Sequence, residues 1–544
     1  MSELFMGIDI GTSSVRAVVF DRNGATVTSA SIEYSLLGTN GVAELRPDEI
    51  FHGMICCVRE CADRVREGGS ALSGGSAHSG GGAGASAAAA GAAGASAAAA
   101  GAAGAGRIAA VGISCQMHSL LCVDAKGQPL TNAITWADTR ATAQADEIQK
   151  SGRVDALYRI SGCRVQHPMY PLAKVRWLQQ MEPDTFKATY KFITIKEYIL
   201  YRLFGEYVVD FTLAASQGYF DINKNQWSDE ILREVAGIDQ SRLSQVVECT
   251  HVLRGMAPEY AREMGMGQDV PFVIGSGDGI MANLGCGVVD DTTLSATIGT
   301  SGAVRTSVKK PLLDSAQRTW CYSFTKDTWV AGGATNSGGI ALKYLRERFG
   351  AQLLQETGMA AGQEYEAMDV LAARVPAGSD GLVFLPYLMG ERSPDWNPNV
   401  RGLIGGLELS HGNGHICRAA MEGVIFRLYS VYEVMAAINA NARQIRATGG
   451  IVKSPFWMQI QADIFGKEIL VPGTQEGAAL GAAFTAMVAV KAVPGFGSLL
   501  EAMQPVDSIN PDMAAHERYR KFYQRAMALY EATTSWQDNR DFKF

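Results

Sequence analysis

Asp9, Thr12, Ser13 and Arg16 lie in one short run, IDIGTSSVR at 8–16, and a near copy, TIGTSGAVR, recurs at 297–305. Each copy is apolar up to a Gly-Thr-Ser tip and apolar again soon after an arginine, which predicts two strands joined by a polar turn. Glycine in such a turn lets successive backbone N–H groups approach phosphate oxygens, and the Thr and Ser hydroxyls add donors. Asp9, two residues ahead of the first tip, is an acceptor placed to hold Mg2+ through its waters. Arg16, on the return strand, is long enough to reach a terminal phosphate. One Gly-Thr-Ser turn is ordinary hairpin chemistry. An aspartate inside an apolar strand is less so, because an unpaired buried carboxylate is costly. Two such tips from two parts of one chain predict a shared ligand.

Other chemistries fail letter by letter. No GxxxxGK[ST] occurs, and FGKE at 465–468 lacks the hydroxyl residue. GSGDGI at 275–280 stops short of a dinucleotide fingerprint, and HExxH and the protein-kinase signatures are absent. His411 and His415 have the spacing of a helical metal pair, but the GNG between them breaks a helix, so no zinc pair is expected.

The elements that must hold these residues alternate between two periods. FMGIDIG, VRAVVFD, ATVTSAS, IAAVGISC and LLCVDA are short β-branched runs bounded by turn signals. MYPLAKVRWLQQ and TIKEYILYRLFG carry helical apolar spacing, the second stopping at Gly205. After hinge-like material around 255–270, the strand pattern restarts with VPFVIGSGDG, TTLSATIGT and AVRTSV, and two long helical patterns follow. This predicts two α/β halves, 1–262 and 263–544. Residues 68–106 stand apart: almost wholly Gly, Ala and Ser, with GASAAAAGAA in tandem at 84–93 and 94–103. That composition predicts a solvated, flexible or fitfully helical insertion, and Ala and Gly supply too little transfer energy for a membrane span.

The chain's 544 residues exceed one hydrophobic core, and 47% hydrophobic with 19% charged residues is ordinary globular composition. A net charge of −7 argues against nucleic-acid binding but not against one small phosphorylated ligand held by amides. Ten scattered cysteines without a CxxC predict reduced thiols and a cytoplasmic setting. The N-terminus enters a strand at once, so no secretory signal is expected.

GIDIGTSSVRAVVFD at 7–21 resembles the first phosphate hairpin of the actin/hexokinase/heat-shock ATPase superfamily. MYPLAKVRWLQQ at 169–180 and GLIGGLELSHGNGHICRAAME at 402–422 resemble the two signatures of the FGGY carbohydrate kinases. GSGDG at 275–279 and ATGGIVKSPFWMQIQADIFG at 447–466 resemble that family's catalytic strand end and adenosine segment. The resemblance implies two ribonuclease-H-like domains around an interdomain active-site cleft, with 1–262 binding sugar and 263–544 binding nucleotide. It also implies ATP and Mg2+ as cofactors, a small sugar or sugar acid as partner, no nucleic acid or membrane, and a monomer or homodimer.

Position by position, Asp278 matches the general base and Asp9 the magnesium-associated carboxylate. Thr12, Ser13, Arg16, Gly299 and Thr300 match phosphate contacts, and Gly339, Gly449 and Gly450 match backbone passing close to the nucleoside. Such a set suits phosphoryl transfer, which is mostly positioning and charge stabilisation with one modest base.

Met117-His118, Trp136 within ITWADTRA, and HPMYPL at 167–172 resemble the gluconokinase branch, with the xylulokinase branch next. The expected reaction is therefore transfer of the ATP γ-phosphate to D-gluconate, with a pentulose as the alternative. Met117, His118, Trp136 and Asp278 are the expected substrate residues. A gluconate carboxylate calls for a cation, and Arg140, Arg164, His167 and Lys174 are the candidates. A sugar-independent nucleotide switch or an inactive sugar sensor is the reading from another class; ADP release that needs no sugar would mark the switch.

Overall fold

A computed structural model describes residues 3–68, 107–473 and 476–538. Apart from Gly68, the expected insertion at 68–106 lies outside the described residues. Two mixed sheets organise the chain. The first contains β1 (Glu3–Ile10), β2 (Ser14–Phe20), β3 (Thr26–Glu33), β4 (Arg107–Cys115), β5 (Val252–Leu253) and β6 (Phe272–Gly277), in the order β5-β6-β4-β1-β2-β3. The second contains β7 (Thr293–Ile298), β8 (Gly302–Val308), β9 (Trp320–Thr325), β10 (Thr328–Thr335), β11 (Gln444–Gly449), β12 (Ile469–Pro472) and β13 (Pro505–Ile509). Its order is β9-β10-β8-β7-β11-β12-β13.

The two sheets repeat one plan. β1 pairs antiparallel with β2 and parallel with β4; β7 pairs antiparallel with β8 and parallel with β11. This is the duplicated ribonuclease-H-like arrangement. The central strands are buried on both faces because helices cover them, while the edge strands β3 and β13 are partly exposed. Those that bear on the site are α1 (Pro47–Arg66), α2 (Pro171–Met181), α3 (Ile195–Phe204), α4 (Asp278–Gly285), α5 (Asn413–Ile438) and α6 (Gly477–Ala489). α3 shows why its sequence folds so: Thr194 and Glu197 form a capping box, and Gly205 closes the helix at φ +74°.

The sheet order moves the division expected at 262/263. β6 runs parallel to β4, with Phe272 opposite Val111 and Ser276 opposite Ser114, so the strand leading to Asp278 belongs to the first sheet. The supposed hinge at 255–270 holds an ordinary helix, Pro258–Met264, that packs on α1. The chain crosses between the sheets after α4, and it crosses back: α6 lies on β1 and β4 of the first sheet. A Cβ on Gly7 would sit 1.8 Å from the Ala479 carbonyl oxygen, and one on Gly112 1.9 Å from that of Ala482. Only glycine admits the helix so near.

β9 docks on the first half in the same spirit. Cys321 N donates to Gly162 O (3.0 Å), Tyr158 Oη to Thr319 O (2.9 Å) and Thr212 Oγ1 to Ser323 O (2.8 Å). All ten cysteines are free thiols. Among the described residues no helix is long and apolar enough to cross a membrane.

Candidate active site

Both Gly-Thr-Ser tips form as tight turns, closed by Gly11 N to Ser14 O and Gly299 N to Ser301 O, each 2.9 Å. Ser13 and Thr300 are exposed at the two tips. Asp9 stands opposite Arg16 on β2 and Ser114 on β4. Ser114 Oγ donates to its carboxylate at 2.7 Å. Burial raises the Asp9 pKa, while the Ser114 hydrogen bond and the Arg16 charge oppose that rise. The Arg16 guanidinium is turned to Glu476, just ahead of α6, through two hydrogen bonds of 2.8 and 2.7 Å. That pair ties the first hairpin to the second half of the chain.

Asp278 is the first residue of α4, where β6 ends on Gly277. One of its oxygens accepts from Gly279 N at 2.6 Å. Its pKa is pushed up to about 6, by burial first and by the like charge of Asp9 second, against the pull of Arg305 and Arg392. Arg305 lies on β8, the return strand of the second hairpin, and a Cβ on Gly279 would sit 3.1 Å from its Nη2. Asp278 therefore stands between a carboxylate from the first hairpin and a guanidinium from the second. Both hairpins face one site.

The expected nucleoside glycines border the second hairpin. Gly339 N donates to Gly299 O at 2.7 Å, and a Cβ on Gly339 would meet that oxygen at 2.9 Å. Gly449, at φ +89°, ends β11 beside the Ile298 carbonyl, and Gly450 follows it into a short 3-10 turn.

The expected sugar residues form the opposite wall. Met117 packs on Gly277, the residue before Asp278. His118 sits at φ +64°, a strained region for a side chain of that bulk, and its Nε2 is 3.1 Å from Tyr322 Oη on β9. Tyr322 Oη is in turn 3.3 Å from Tyr170 Oη. Burial keeps His118 neutral by lowering its pKa well below the usual histidine range. Trp136 donates its indole N–H to Thr12 Oγ1 at 3.0 Å, so the wall ends on the first phosphate turn. Thr12 also donates to Gln116 Oε1 at 3.3 Å. Around this space Gln166 Oε1, Asn336 Oδ1 and Ser337 Oγ are buried without hydrogen-bond partners. Orphaned buried polar atoms of this kind suit a ligand rich in hydroxyls.

The model of the FGGY family of carbohydrate kinases, N-terminal domain, matches residues 4–71 and 95–285, and that of the C-terminal domain matches 294–490. The chain belongs to the FGGY family of carbohydrate kinases. The gap at 72–94 falls inside the Gly/Ala/Ser run. A gluconokinase of Bacillus subtilis (strain 168) is 35% identical over 96% of this chain and 94% of its own. Crystal structures of a gluconate kinase and of a ligand-bound xylulose kinase, both from Lactobacillus acidophilus, match equally: TM-score 0.84, 30% identity, 98% of each chain.

Within this FGGY site, the structure redirects three of the four expected carboxylate partners. Lys174 is buried and donates to His118 O (3.0 Å) and Thr135 O (2.6 Å). It is neither a pocket cation nor a solvated helix charge. Arg140 is engaged by Asp138 at 2.8 Å and by Glu44 at 2.5 Å. His167 is uncharged, its pKa lowered to about 3 by burial, and its Nδ1 accepts from Met169 N at 3.2 Å. Arg164 donates to Gln317 O at 3.3 Å and packs on Trp396. Arg305, Tyr322 and Arg392 escaped the sequence reading. An arginine in a Gly/Pro/Asn-bounded loop, GERSPDWNP at 390–398, was the available signal for the last.

Asp9 and Asp278 also bear on magnesium. Among the described residues no three His, Cys, Asp or Glu side chains converge to hold a metal. Two partly buried carboxylates with raised pKa values fit a hydrated divalent ion arriving with a nucleotide rather than a resident one. His411 and His415 lie 4.9 Å apart, but His415 faces Asp380 across 3.2 Å and His411 Nδ1 accepts from Glu408 N.

Proposed function

We propose that this FGGY kinase phosphorylates D-gluconate to 6-phospho-D-gluconate with ATP. The 35% identity to a gluconokinase over nearly the whole of both chains carries this reading. Asp278 takes the proton of the substrate's C6 hydroxyl as that oxygen attacks the γ-phosphorus. The new O–P bond forms as the β,γ-bridging O–P bond breaks, ADP leaves with the electron pair, and the proton stays on Asp278 until water removes it. Amides and hydroxyls of Thr12, Ser13, Gly299 and Thr300 hold the phosphates, and Gly339, Gly449 and Gly450 let the nucleoside lie against backbone. Mg2+ held through water by Asp9 would supply charge neutralisation at the β- and γ-phosphates. Arg16, drawn by a triphosphate, exchanges Glu476 for phosphate oxygen. Met117, His118 and Trp136 wall the polyol, the neutral His118 presenting a hydrogen-bonding edge.

D-Xylulose is the second reading, favoured by the equal fold likeness of a xylulose kinase. A coupled assay of ADP release with ATP-Mg and a panel of open-chain sugars decides between them. The highest kcat/KM is expected with D-gluconate, and no ADP release without sugar. A preference for D-xylulose would overturn the substrate; sugar-independent turnover would overturn the kinase cycle itself.

A further inference from the structure

We infer that Arg392 is the residue that grips the carboxylate of the sugar acid, an inference that rests on gluconate being the substrate. Arg392 belongs to the second half of the chain, yet its loop leans on the first. Its guanidinium carbon lies 5.1 Å from the centre of the Trp136 ring, and Trp396 meets His167 edge-on at 5.5 Å. Through Trp136, whose indole is fixed to Thr12, the guanidinium is stacked on the sugar wall.

The guanidinium is also underused. Nη2 donates to Thr335 O at 2.7 Å, while Nε is buried with no partner. Among the described residues no carboxylate forms an ion pair with it; the adjacent Glu391 faces Arg427 instead, at 3.3 Å. A buried guanidinium donor left open beside the neutral His118, His167, Tyr170 and Tyr322, with the charges of Glu391 and Asp278 acting on it but not paired with it, is a socket for a planar anion, and the arginine fork matches a carboxylate in two-point fashion. Arg305 lies beside Gly279 and pulls on the Asp278 carboxyl more strongly than Arg392 does, so of the two guanidiniums Arg305 is the one at the transfer end. A linear sugar acid phosphorylated at its terminal hydroxyl carries its carboxylate at the other end. Lys174 and Arg140 are committed elsewhere, and Arg164 is partly so.

The test uses the full chain with Arg392→Gln, Arg392→Lys and Arg164→Gln, assayed with D-gluconate and, as a neutral comparison, D-xylulose. Arg392→Gln should raise KM for gluconate about 10²-fold with a much smaller change in kcat, as for truncation of one partner of a buried charged contact. Its Kd for ADP should stay near wild type, and any xylulose turnover should suffer less. Arg392→Lys keeps a cation and a donor for Thr335 O but loses the fork, so its kcat/KM for gluconate should fall about tenfold, and it should stay folded even if the Gln variant does not. A gluconate KM within threefold of wild type in the Lys variant and in a folded Gln variant, equal losses on both sugars, or the large KM effect in Arg164→Gln would each overturn the assignment. Wild-type enzyme that ignores gluconate would instead sink the substrate reading, and Arg392's role with it.

Discussion

Asp278 is held under tension that its proposed role requires. Its carboxyl is buried beside Asp9, so its pKa of about 6 stands roughly two units above an ordinary aspartate. The folded chain therefore keeps a proton there between about pH 4 and 6 that the unfolded chain has lost. In that window stability falls as pH rises, and above pH 6 the whole penalty is present. Asp278→Asn removes the charge while its side-chain oxygen still accepts from Gly279 N. The variant should lose about 10²–10⁴-fold in kcat, yet by calorimetry unfold at a higher temperature than wild type at pH 8. The gain is roughly 2–3 kcal/mol at most, and it should vanish near pH 4. A variant no more stable than wild type at pH 8 would contradict the buried-charge account, and one with most of its turnover would remove Asp278 from the chemistry. For the wild type, kcat/KM should drop as pH falls through about 6, where the free base is lost. Residues fixed by a local motif, such as Asp9, Thr12, Asp278 and Gly449, can be singled out from the sequence as candidates, because strand ends and tight turns set their positions. Those fixed by direction were not: Lys174 and Arg392 are both cations near the sugar wall, and only packing turns one towards carbonyls and the other towards the cavity wall at Trp136.

Elements were legible where the code is short in range and misassigned where pairing is long in range. The period of MYPLAKVRWLQQ gives α2, and Gly205 ends α3 as its position dictates. Nothing local tells β6 that its neighbour is β4, some 160 positions upstream, so a strand of the first sheet looked like the start of the second half. α2 carries the clearest case of an element positioning a site residue. Its Lys174 crosses to two carbonyls, His118 O and Thr135 O, and so holds both the left-handed His118 and the strand leading to Trp136. The surroundings lower the Lys174 pKa to about 7 by burial, so the amine, charged or neutral, serves mainly as a donor. Lys174→Met leaves two buried carbonyls unpaired at about 1–3 kcal/mol each. Thermal unfolding should register a loss of roughly 2–4 kcal/mol, with KM for the sugar rising more than KM for ATP as the His118 loop relaxes. An unchanged melting temperature would show that those carbonyls find other partners.

At the scale of the whole molecule, the contacts between the two halves differ in kind, and that difference constrains any closure on ligand. α6 is pressed into glycines of the first sheet, and β9 is hydrogen-bonded to Gly162 and Thr212 in the first half. Neither contact survives a large shift, so closure on ligand would pivot about them. Other contacts are side-chain ones that a ligand can replace: the Arg392–Trp136 stack, the Trp396–His167 edge and the Arg16–Glu476 pair, whose side chains keep 43% and 31% of their surface in solvent. Each would be remade by ligand, the first two by a polyol under the Arg392 loop and the third by a triphosphate at the first hairpin. Closure is therefore expected to need both substrates, which would also keep water from the γ-phosphate until an acceptor is in place. Small-angle scattering should show a smaller radius of gyration with a non-hydrolysable ATP analogue and gluconate together than with either alone. Glu476→Gln, which weakens the ion pair holding the hairpin to α6, should shift the nucleotide-only profile while leaving the doubly bound one in place. Profiles identical in all four ligand states would mean that the cleft is already set in the free protein and that closure does not gate the reaction.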